Sequence, residues 1–280
     1  MASGARSAAT AGTLRDALDS AAAALSSAGC ESPRLDAELL LADALGVDRA
    51  RLVTEPGVAI PAADARLIGE RIRRRIAREP VAYILGRKGF RHIDLHVDAR
   101  VLVPRPETEL LVEVALELPE GAAVHEVGTG AGAVALALLD ERPDLRVSAS
   151  DSSPAAIAVA QANAARLGLE LELSLASGLP DAVGERGVPA LVLANLPYVA
   201  EHELAALPPE IRVHEPREAL LGGEDGLDVI RALAMQAPPG TPLALEHATQ
   251  QAAAVRALLD GAATRRDLTG RERVTMGRAR

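Results

Sequence analysis

The segment around residue 130 constrains this chain more than any other. An apolar run, Ala123–Val127, passes directly into Gly128, Thr129, Gly130, Ala131 and Gly132, and an apolar helical stretch follows over 134–139. Glycines at a strand-to-helix turn let the backbone approach a ligand closely and aim the amides of the helix N-terminus at it. Asp151 follows the next apolar run, 146–150, where a strand-end carboxylate is placed to accept both hydroxyls of a ribose. A nucleoside site is therefore predicted on Glu126, Gly128, Thr129, Gly130, Gly132 and Asp151. The turn also satisfies the Ala-ended dinucleotide fingerprint through Gly128, Gly130 and Ala133. A nicotinamide cofactor, a nucleoside methyl donor and a turn without a ligand all stay open on these residues alone.

The rest of the chain supplies the context. From about residue 106 onward, helical stretches alternate with short apolar runs at Ala123–Val127, 146–150, Leu191–Ala194 and 243–246. That order predicts an α/β architecture, a parallel sheet covered by helices on both faces. Residues 13–85 read as helices instead. Thr13 is placed as an N-cap before Leu14, Leu18 and Leu25, with Gly29 closing the segment. A second helix fits 32–45, with Pro33 in its first turn and Gly46 at its end, and a third starts at Pro61 and stops before Pro80. Between them and the sheet, Ile93, Leu95 and Val97 alternate with polar residues, which predicts a β-hairpin over 86–105. The expected division is a disordered start at 1–12, a helical domain at 13–85, the hairpin linker at 86–105 and a catalytic domain at 106–280.

A second motif carries chemistry. After the apolar run Leu191–Ala194 come Asn195, Leu196, Pro197 and Tyr198. In a doubly wound sheet ligands bind at the carboxyl ends of strands, so this loop is expected to face the same crevice as the glycine turn. The Asn195 side-chain oxygen and the Leu196 main-chain oxygen can each accept one N–H of a primary amide, with Tyr198 packed over it. An amide nitrogen is a poor nucleophile because its lone pair is delocalised. Holding it in line with an activated methyl group, with carbonyl dipoles on both N–H groups, is worth on the order of 7 to 11 kcal/mol in favourable cases. No metal is required by that chemistry, and the histidines show no metal-ligand spacing.

Composition narrows the partners. The formal net charge of the 280 residues is -9, whereas proteins that grip phosphate backbones usually carry a basic face, so duplex nucleic acid is a disfavoured partner. Only one cysteine, Cys30, is present, which excludes an intramolecular disulfide and a cysteine-built zinc site. No apolar run approaches the roughly 18 residues of a membrane helix, and the opening residues lack the pattern of a secretory or organellar signal. A cytoplasmic protein is expected. Arg71, Arg73, Arg74, Arg75 and Arg78 cluster in one helical stretch, read as a solvated face rather than a docking patch.

Taken together, these residues resemble the release-factor glutamine methyltransferases over nearly the whole chain. The likeness includes Tyr83, Gly86 and Phe90, the segment Val103, Pro104, Arg105, Pro106, Glu107, Thr108 and Glu109, the glycine turn, Asp151, and the Asn-x-Pro-Tyr loop. It continues through Glu215, Pro216, Gly222, Gly223, Asp225, Glu246 and His247 to Arg273, Val274, Thr275 and Gly277. The Asn-x-Pro-Tyr loop alone is shared with adenine and guanine amino methyltransferases; the segment over 104–109 is specific to this branch. The resemblance implies a Rossmann-like, class I S-adenosylmethionine-dependent methyltransferase sheet of seven strands with an antiparallel last hairpin, beside a small all-α N-terminal domain that docks a partner. It implies S-adenosylmethionine as cofactor, held also by Ser177, Gly178 and Asn195. Arg105, Pro106 and Glu107 would lie over the substrate together with Asn195, Pro197 and Tyr198. The implied substrate is the glutamine of the Gly-Gly-Gln loop of class I peptide chain release factors, the enzyme acting as a monomer.

Four positions depart from the family pattern: Glu126 where Asp is usual, Gly178 where an acidic residue commonly meets the adenine amine, Leu196 where a proline is usual, and Gly89 where Glu is common. A backbone carbonyl or Ser177 would have to replace the missing acid at 178, since a charge-assisted hydrogen bond there is worth about 1.5 to 3 kcal/mol. Another protein glutamine, or an exocyclic base amine in nucleic acid, is the alternative acceptor. A nicotinamide oxidoreductase and a non-catalytic binding module are the more distant readings, and neither explains the Asn-x-Pro-Tyr loop.

Overall fold

The computed structural model describes residues 10–180 and 187–280, and the chain divides into two compact units, Met1–Gly86 and Arg87–Arg280.

In the first unit, β1 (Thr10–Thr13) pairs antiparallel with β2 (Ala59–Pro61). The expected disordered start over 1–12 is corrected at its end: Thr10–Thr13 is extended because β2, distant in sequence, offers it a ladder. Residues 1–9 lie outside the described residues. α1 (Leu14–Ser27) starts where expected, with the Thr13 hydroxyl accepting the Asp16 N–H at 3.2 Å and the Asp16 carboxylate accepting the Thr13 N–H at 3.2 Å. That reciprocal arrangement satisfies two of the amides a helix start leaves open. Leu14, Leu18, Ala21 and Leu25 recur at helical spacing and are buried. They pack with Leu40 and Leu41 of α2 (Pro33–Leu45), Leu52 of α3 (Arg49–Thr54), Ile68 and Ile72 of α4 (Ala62–Ile76) and Ile84 of α5 (Val81–Leu85) in one core. The arginine stretch is less solvated than expected. Arg75 is buried and pairs with Asp36 at 2.7 Å, and Arg71 pairs with Asp43 at 2.7 Å. Arg73 is exposed.

The second unit opens with the hairpin of β3 (Arg87–Phe90) and β4 (Ile93–His96). A 3-10 turn, Pro106–Thr108, leads into α6 (Glu109–Leu116). Then come β5 (Ala123–Val127), α7 (Ala133–Glu141), β6 (Arg146–Asp151), α8 (Pro154–Leu167), β7 (Glu172–Leu175) and β8 (Leu191–Ala194). α9 (Pro209–His214), α10 (Asp228–Gln236), β9 (Pro242–Glu246), α11 (Ala252–Leu258), β10 (Asp260–Arg266) and β11 (Glu272–Arg278) complete it.

These strands form one seven-stranded sheet in the order β10-β11-β9-β8-β5-β6-β7. β5 pairs parallel with both β6 and β8, β6 with β7 and β8 with β9, whereas β11 runs antiparallel to β9 and β10 to β11. β8 is apolar on both faces, all four of its residues buried, as a strand covered by helices on both sides requires. Because the chain leaves β5 toward β6 on one side and reaches β8 on the other, the order reverses at β5. A crevice opens there, outside the carboxyl ends of the strands. No helix among the described residues is long and apolar enough to cross a membrane.

Candidate active site

The carboxyl end of β5 delivers the glycine turn into that crevice. Gly128 has φ +75, and a side chain there would press against the Leu196 Cδ2 at 3.0 Å, so the turn and the Asn195 loop meet with no room for a β-carbon. The Ser150 carbonyl accepts the N–H groups of both Gly128 and Thr129, at 2.9 and 3.1 Å. Asp151, at the end of β6, accepts the Gly130 N–H at 2.9 Å with one oxygen and the Ser153 N–H at 2.9 Å with the other. Its carboxylate thus holds the turn and the start of α8 together. Each carboxylate oxygen carries two lone pairs, so acceptor capacity for hydroxyl groups remains.

Glu126 serves the protein more than the cavity. It is buried, and its Oε2 accepts the Thr129 hydroxyl at 2.7 Å and the Ala135 N–H at 3.0 Å, at the first turn of α7. Burial pushes its carboxyl up to about 7, against the pull of those two donors and with the charge of Asp151 adding to the rise.

On the far side of β6, Gly178 adopts φ +91, and a β-carbon there would overlap the Gln236 Oε1. Gln236, at the end of α10, grips the next residue, accepting the Leu179 N–H at 2.9 Å and donating to the Leu179 carbonyl at 3.1 Å. The Gly178 carbonyl accepts the Ser150 hydroxyl at 3.1 Å. Beneath it His125 lies between the Ser148 and Ser150 hydroxyls, and burial lowers its imidazole to about 4, so it is neutral.

At the end of β8 the Asn195 Nδ2 donates to the Thr108 hydroxyl at 2.9 Å. Thr108 is the inward-facing residue of the 3-10 turn Pro106–Thr108, 5% exposed. Arg105 donates to the buried Glu215 at 2.5 Å, tying the segment before that turn to the loop after α9. Burial raises the Glu215 carboxyl, opposed by Arg105 and the Val103 N–H.

These groups enclose one cavity of roughly 320 Å3, lined by Arg105, Glu126, Gly128, Thr129, Gly130, Asp151, Ser177, Gly178, Asn195, Leu196 and Pro197 among the predicted residues. Four predicted residues are not on its wall. Gly132 is packed into the start of α7, where a β-carbon would meet the Leu136 Cδ1 at 2.8 Å. Pro106 is exposed and Glu107 half-buried in a 3-10 turn whose buried residue is Thr108. The Tyr198 ring packs on the core around Val192 and Leu245, and its hydroxyl faces the Glu246 carboxylate at 3.4 Å. Burial holds the Tyr198 hydroxyl well above its usual range.

Sequence reasoning did not assign Thr108 or Gln236 to the site. Thr108 stood within the branch-specific segment; Gln236, a polar residue ending an amphipathic helix, carried no signal at all.

Family models match both parts of the chain: the PrmC N-terminal domain over residues 16–86 and the methyltransferase small domain over residues 106–214. Among curated relatives, the release factor glutamine methyltransferase of Xylella fastidiosa is 41% identical over 258 residues, covering 88% of this chain and 93% of that protein. The protein of the same name from Caulobacter vibrioides is 40% identical over 278 residues, 95% of this chain and 96% of its own. That of Mycolicibacterium smegmatis is 42% identical over 275 residues, 93% and 95% of the two chains.

Proposed function

The chain belongs to the release factor glutamine methyltransferase family, and from that membership we propose that it methylates the side-chain amide nitrogen of the glutamine in the Gly-Gly-Gln loop of class I peptide chain release factors. The cofactor is S-adenosylmethionine, and the cavity suits its nucleoside. Gly130, on the cavity wall, has open space where a β-carbon would stand, and Asp151 retains acceptor capacity for the ribose hydroxyls beside the glycine turn. The cofactor supplies a methyl group activated on a sulfonium sulfur. Ser177 and Gly178 border the base end, where the grip of Gln236 on Leu179 fixes the backbone of the segment.

What carries the reading is the hydrogen bond from Asn195 to Thr108 at the cavity wall. It occupies the amide nitrogen of Asn195 and turns the side-chain oxygen toward an incoming amide N–H; the Leu196 carbonyl serves the second N–H. Aligned carbonyl dipoles then stabilise positive charge growing on the acceptor nitrogen without a general base. Arg105, fixed by Glu215, borders the acceptor end of the cavity, with Pro106 and Glu107 outside it and Pro197 beneath.

The relatives' shared name selects a protein glutamine over an exocyclic base amine, which the same loop could hold. Incubation with labelled S-adenosylmethionine and a bacterial class I release factor is expected to add one methyl group at the Gly-Gly-Gln glutamine, and a Gln→Ala substrate is expected to accept none. Label appearing in DNA or ribosomal RNA with the release factor untouched would overturn the substrate while leaving the transferase standing.

A further inference from the structure

Buried carboxylates cost stability unless they are paired and hydrogen-bonded, and Glu246 is 1% exposed at the end of β9 with one oxygen, Oε2, lacking a hydrogen-bond partner. Its Oε1 faces the Tyr198 hydroxyl at 3.4 Å, and the Thr108 hydroxyl interacts with the same carboxylate. That hydroxyl is the one that accepts the Asn195 amide nitrogen at 2.9 Å. Asn195 and Glu246, from two separate parts of the fold, therefore share the one hydroxyl of Thr108.

We propose that Glu246 is a positioning residue for methyl transfer: acting through the Thr108 hydroxyl, it determines which end of the Asn195 amide faces the cavity. The proposal rests on the function given above. An amide's oxygen and nitrogen ends are nearly the same size, so packing does not choose between them. A threonine hydroxyl donates or accepts, so Thr108 alone does not choose either. An ionised carboxylate only accepts. The Thr108 proton is therefore committed to Glu246, its lone pair is left for Asn195, and Asn195 has to present nitrogen to Thr108 and oxygen to the acceptor. The opposite orientation would set an N–H of Asn195 against an N–H of the glutamine.

The lock depends on the proton count of Glu246. The groups facing it are Thr108 and Glu107 from the 3-10 turn, Tyr198 from the loop after β8 and Arg273 from β11; burial outweighs Arg273 and raises the carboxyl to about 7. Above that pH the carboxylate accepts and the lock holds. Below it, a protonated Glu246 can donate to Thr108, whose own proton is then free to turn to Asn195, and the orientation is lost.

The test uses the full-length protein with Glu246→Gln, Thr108→Val and Thr108→Ser. Three quantities are read: kcat on the release factor between pH 5.5 and 9, S-adenosylhomocysteine affinity by calorimetry, and the Asn195 side-chain amide signals by proton–nitrogen NMR, assigned with Asn195→Ala. At pH 8, Glu246→Gln and Thr108→Val are expected to lower kcat about tenfold or more with cofactor affinity within about twofold, and Thr108→Ser to restore most of it. The wild type should show an acid limb with a midpoint near 7 that Glu246→Gln lacks, and its Asn195 amide signals should move with the same midpoint. Wild-type kcat and an unchanged acid limb in Glu246→Gln, or Asn195 signals that ignore pH, would overturn the lock. If Glu246→Gln fails to fold, the two Thr108 variants and the wild-type NMR titration decide. Should the wild type leave the release factor unmethylated, the functional reading fails by itself, and the amide signals still test the lock.

Discussion

Gln236 holds Leu179 by both ends of its amide, accepting the Leu179 N–H at 2.9 Å and donating to the Leu179 carbonyl at 3.1 Å. The pair mimics a strand ladder, yet it joins the end of α10 to the loop after β7. It also explains the glycine beside it. The space a β-carbon would need at Gly178 is taken by the Gln236 Oε1, and the backbone there sits at φ +91.

Restoring an acid at that position should therefore harm binding. Gly178→Asp places a side chain in a left-handed conformation, at about 1–3 kcal/mol, and pushes Gln236 off Leu179. S-adenosylhomocysteine affinity by calorimetry is expected to fall about tenfold or more, with partial recovery when Gln236→Ala is added. Tighter binding by Gly178→Asp alone would sink this account.

On the proposed function Asp151 combines two tasks, tethering the Gly130 and Ser153 amides and receiving the ribose. Asp151→Ala is expected to weaken S-adenosylmethionine binding by roughly tenfold or more, the scale of a lost charged hydrogen bond. A thermal melt separates that loss from unfolding, and unchanged affinity in a folded variant removes Asp151 from the site.

On the proposed function Asn195 acts chiefly on the acceptor and should behave differently. Asn195→Ala is expected to lower kcat about a hundredfold while cofactor affinity stays nearly constant. A parallel fall in both would mean that the loop supports the cofactor pocket instead.

Glu126 links pH to stability. Its carboxyl is raised from 4.5 to about 7 in the folded chain, so between those values the folded state binds a proton that the unfolded state has released. Stability attributable to this group is greatest below 4.5, falls as pH rises to 7 and stays reduced above it, by about 3 kcal/mol at most. Glu126→Gln keeps an acceptor for Thr129 and Ala135 without the charge. Its denaturant midpoint is expected to exceed that of the wild type at pH 8 by more than at pH 5; an equal difference at both would show that Glu126 is not carrying the titration.

Local chemistry made much of this protein readable. The glycine turn after β5, the caps at Thr13 and Gly46, and the apolar runs that became β5, β6, β8 and β9 are written in neighbouring residues, since periodicity and turn geometry act over a few positions. Asp151 and Asn195 followed because strand ends are where such a sheet binds ligands. The short β7 escaped notice, its residues being half-buried or exposed at the sheet edge, as did β1, which is ordered by β2. The contacts that finish the site were decided by the tertiary structure alone. Thr108 meets Asn195 across 87 positions, Arg105 meets Glu215 across 110, and Gln236 meets Leu179 across 57. A threonine, a glutamate or a glutamine has the same local preferences wherever its partner lies, so nothing near these residues in the chain reports which polar group the fold will bring within 3 Å of them.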